Sequence, residues 1–67
     1  MKLGEAILAG EPRAYGQLSD LMRSQGKRYN DVLAKVREIF VEAGRPAPSD
    51  AYIDDKFHEC DDLEAQG

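Results

Sequence analysis

Cys60 is the only cysteine in the chain, so no internal disulfide can staple it. Tryptophan is absent, and the aromatic residues are three tyrosines and two phenylalanines. Leucine, isoleucine, valine and phenylalanine together number 14 of 67 residues. That share is close to the ~20% below which highly charged chains stay disordered. The net charge is only -4, which favours folding. A domain of about 60 residues buries only about 60% of the surface its unfolded chain exposes. The expectation is one small helical domain over residues 1–67, with a core that gains from a partner or from self-association into a dimer.

Other absences narrow the function. No apolar run approaches the ~20 residues that cross a bilayer, so no membrane partner is expected. The apolar stretch after Lys2 is interrupted by Gly4 and Glu5, which makes a poor signal peptide. With a single thiol, this points to a reducing, cytoplasmic setting. There is no dinucleotide fingerprint. Ser24-Gln25-Gly26-Lys27 lacks the spaced glycines and preceding strand of a phosphate loop. A carboxylate pair for glycoside hydrolysis would need a dry cleft, and 67 residues hardly enclose one. No cofactor and no enzymatic activity are expected.

What is present is helical periodicity. Leu3, Ile7 and Leu8 form a short first segment, a brief helix or ordered arm over Met1 to Ala9, ended by Gly10 and Pro12. Tyr15, Leu18, Leu21 and Met22 recur at three and four, giving a helix from about Pro12 to Gln25. Gly26 suits its exit. Tyr29, Val32, Leu33, Val36, Ile39, Phe40 and Ala43 make the widest stripe, a helix over about 30–43. Asn30 can cap it, and Asp31 with Lys35 can pair at i,i+4. Gly44 and Pro46-Ala47-Pro48 end it. A last helix starts near Ser49 or Asp50, with Ile53, Phe57 and Cys60 on one narrow face, and is expected to fray from about Asp61. Ala65-Gln66-Gly67 is expected to be loose.

The fold class is therefore all-α: a small bundle of three to four short helices, built from a helical hairpin over 12–43 and an acidic helix over 49–67. The expected core is Leu18, Leu21, Met22, Val32, Leu33, Val36, Ile39 and Phe40, joined by Ile53 and Phe57.

Charge is divided along the chain. Residues 1–48 hold eight Lys/Arg against six acids, net +2, while residues 49–67 hold Lys56 against seven acids, net -6. This acidic amphipathic helix is the leading candidate surface, docked on its own body or ordered by a partner. Tyr52, Ile53 and Phe57 are the candidate anchors, because aromatic residues dominate binding hot spots. Asp54, Asp55, Asp61 and Asp62 supply the field that would attract a basic protein surface. Spaced carboxylates can also imitate nucleic-acid phosphates. The expected function is that of a small non-enzymatic protein-binding adaptor or regulator.

The alternative is a small nucleic-acid-binding module using the basic turn at 23–28, through Arg23, Lys27 and Arg28. Asp31 near that tip and the acidic field of the last helix oppose it, so nucleic acid is the weaker expectation. Asp54, His58 and Asp62 align at i,i+4, but Cys60 lies about 200° around the helix from His58. That rules the two out as joint ligands or as a nucleophile and base on one helix face, and no metal site is expected. Cys60 is best explained as a small buried hydrophobe.

Overall fold

Pro12, Gly26 and the run from Gly44 to Pro48 break the chain where the sequence places the breaks. The computed structural model describes residues 2–66, and Met1 and Gly67 lie outside it. Four helices follow in order: α1 (Leu3–Leu8), α2 (Pro12–Ser24), α3 (Tyr29–Glu42) and α4 (Asp50–Gln66). No strand occurs among the described residues. The molecule is a small all-α bundle, and apart from the C-terminal end of α4 each helix end falls within one or two residues of its sequence expectation.

The first three helices end in the same way. Gly10, Gly26 and Gly44 each have φ between 75° and 79°, a left-handed conformation. In each case the following N–H reaches back five residues: Glu11 to the Ala6 carbonyl, Lys27 to Met22 and Arg45 to Phe40. These are Schellman ends, which satisfy carbonyls the helix leaves free and favour glycine.

The caps at the starts differ from expectation in one place. Ser49 caps α4, its Oγ accepting from the Tyr52 N–H at 3.2 Å. Asn30, however, lies inside α3. The Asp31 carboxylate performs the N-terminal role there, accepting the Arg28 N–H at 3.0 Å. Engaged in this way, Asp31 does not pair with Lys35, whose ammonium lies 3.7 Å from Glu38 instead.

The core draws on all four helices. Ile7, Tyr15, Val32, Val36 and Ile53 are completely buried, with Leu18, Leu33 and Phe40 nearly so. Met22, Ile39 and Phe57 are partly buried against this cluster. Leu21 departs from expectation at 51% exposed. It sits about 120° around α2 from Tyr15, at the edge of the stripe rather than on it. Tyr15 takes the central place, its hydroxyl donating to the Ile7 carbonyl at 3.0 Å. Burial first, and the neighbouring Tyr52 hydroxyl second, push its phenol well above the ordinary tyrosine value. α1 contributes Ala6 and Ile7, a larger share than its length suggests.

α4 packs most extensively on α2. Ile53 and Cys60 are buried there, and the Phe57 ring meets Tyr15 edge-on at 6.1 Å. The expected fraying from Asp61 is not observed, and helix continues through Ala65 to Gln66. Buried Cys60 and half-buried Leu63 hold these last turns against the unfavourable acids at the C-terminal end.

Candidate functional site

Helices approach one another closely only where a side chain makes way. At Gly16 of α2, an added Cβ would overlap the Cys60 Sγ of α4. This close approach at one end of the helix pair leaves a groove of about 280 Å³ beside it. Phe57, Gly16 and Cys60 line it with apolar surface. Ser19, Asp20 and Arg23 line it from α2, and Asp54, His58, Asp61 and Glu64 from α4. Tyr29, at the start of α3, completes the lining.

One end of the groove is organised by hydrogen bonds. The Tyr29 hydroxyl donates to Asp54 Oδ1 at 2.8 Å, and His58 Nε2 lies 3.3 Å from Asp54 Oδ2. Asp54 thus holds a ring on each side. Burial and then the Asp54 carboxylate raise the Tyr29 phenol above its ordinary value. The Tyr29 and Phe57 rings are 5.7 Å apart and tilted by 55°. Cys60 is a buried free thiol whose Sγ faces Glu64 Oε1 at 3.8 Å. Burial, then Glu64 and Asp61, raise its pKa, so it is poorly suited to act as a thiolate.

The residues singled out in the sequence divide into three sets. Asp54, Phe57 and Asp61 come together in the groove. Asp55 and Asp62 are exposed outside it. Tyr52 lies elsewhere, toward Gly10, with the Lys56 ammonium 5.3 Å from its ring centroid. Ile53 has no accessible surface, so it serves the core and is withdrawn as a surface anchor. The basic turn is divided too. Lys27 and Arg28 are exposed in the α2–α3 connection, whereas Arg23 lines the groove among carboxylates.

Sequence reasoning missed the α2 side of this groove. The available signal was the run Gly16, Ser19, Asp20 and Arg23, a second stripe at three and four beside the apolar one. Among the described residues, no group of three His, Cys, Asp or Glu side chains is placed to hold a metal ion. No described helix is long and apolar enough to cross a membrane. No protein-family model, curated protein or solved structure matches the chain.

Proposed function

We propose that the chain is a small non-enzymatic protein-binding adaptor or regulator. It acts in the cytoplasm through the outward surface of α4, on a partner that presents a basic surface. The observation carrying this reading is how α4 spends its two faces. Its narrow apolar side is turned into the bundle through Ile53 and Cys60, which leaves Asp54, Asp55, Asp61 and Asp62 exposed. Opposite charge on a partner would be attracted and oriented by that field.

Size limits the kind of contact. A standard interface takes about 800 Å² from each partner. The chain exposes 4531 Å² in all, so such a contact would cover nearly a fifth of it. Charge and a few exposed side chains of the 17-residue α4 would direct such a contact.

The nucleic-acid alternative loses support from the placement of Arg23. A guanidinium lining a groove with Asp20, Asp54, Asp61 and Glu64 sits in an unfavourable field for phosphate. Titration with a basic amphipathic peptide rich in lysine and arginine, followed by amide NMR shifts, tests the reading. Saturable shifts along residues 54–61 are expected, weakened by added salt and by Asp54→Asn. No shift at millimolar peptide sinks the adaptor reading. Shifts at Arg23, Lys27 and Arg28 on adding single-stranded DNA at low salt would replace it with the alternative.

A further inference from the structure

We draw no further inference here: the strongest candidate, the groove between α2 and α4, is a cluster of carboxylates with nothing beside it that points to a ligand, since among the described residues no buried side-chain polar atom is left without a hydrogen-bond partner and the Tyr29 and Phe57 rings, 5.7 Å apart, are in contact with each other.

Discussion

At the scale of single residues, Gly16 and Cys60 are the most tightly coupled pair in the molecule. On an isolated helix, alanine would improve on glycine by about 0.8–1 kcal/mol. Here the new methyl would strike Cys60 Sγ, a short side chain that is almost fully buried. Overpacking of this kind costs about 1–3 kcal/mol. The clash outweighs the propensity, and Gly16→Ala should destabilise the chain by up to about 2 kcal/mol. Removing the sulfur reverses the argument. In a Cys60→Ala background, Gly16→Ala should be neutral or stabilising, because only the propensity gain remains. Urea midpoints for the four proteins of this cycle measure the coupling directly. A stabilising Gly16→Ala in the wild-type background would show that α2 and α4 are farther apart than described. None of this was visible in the sequence. Along the sequence Gly16 only lowers the helix propensity of α2, because its partner lies 44 residues away and on another helix.

At the scale of elements, the helices were legible because their signals are local. Pro12 at the start of α2 and glycines at the three Schellman ends are fixed by backbone chemistry within six residues. Where a choice turned on one residue, the reading slipped. Asn30 and Asp31 are both able caps, and only the geometry shows that the Asp31 carboxylate reaches back to the Arg28 N–H. Which stripe residues are covered was legible only in part. Leu21 and Tyr15 belong to one apolar pattern, yet the first is exposed and the second fully buried. The groove was half-legible for the same reason. Its α4 residues stood out as an acidic field, while its α2 residues acquire meaning only once α4 lies beside them. The Ser49 cap was readable and carries a prediction. Ser49→Ala removes the acceptor for the Tyr52 N–H and should cost about 1 kcal/mol, within a usual range of about 0.5–2. In a domain this small, that lowers the melting temperature by roughly 4–8 °C. Ser49→Asp should restore it, since aspartate caps as well and favours the N-terminal dipole. An alanine variant that melts with the wild type would mean that the cap contributes nothing to α4.

At the scale of the whole molecule, α4 decides whether the remainder folds. Residues 1–48 hold 11 of the 14 large aliphatic and phenylalanine side chains, so by composition that body is better built than the tail. The structure changes the weighting. Ile53 is completely buried, Phe57 covers Tyr15, and α2 finds its most extensive packing on α4. A chain of 67 residues has about 3–10 kcal/mol of total stability, at ~0.05–0.15 kcal/mol per residue. Burial of one isoleucine is worth about 1.5–3 kcal/mol. Losing Ile53 and Phe57 together removes much of the total, so a chain ending at Ala47 should show no cooperative thermal transition. The separate peptide 48–67 should be largely coil in circular dichroism, because isolated helices of this length are marginal in water. Mixing the two pieces should restore helix. Two forces could drive that recovery: apolar burial, or attraction between a body of +2 and a tail of -6. Magnitude decides between them. The one ion pair that joins α4 to another helix among the described residues, Arg37 to Asp50, is exposed, and such pairs contribute about 0.2–1 kcal/mol. At 1 M salt the Debye length falls to about 3 Å, which screens the charge difference without touching the core. The recovered helix should therefore survive 1 M salt and be lost when peptide 48–67 carries Ile53→Ala. The opposite pattern, loss in salt and persistence with the alanine peptide, would mean that charge rather than the Ile53 contact holds α4 on the bundle.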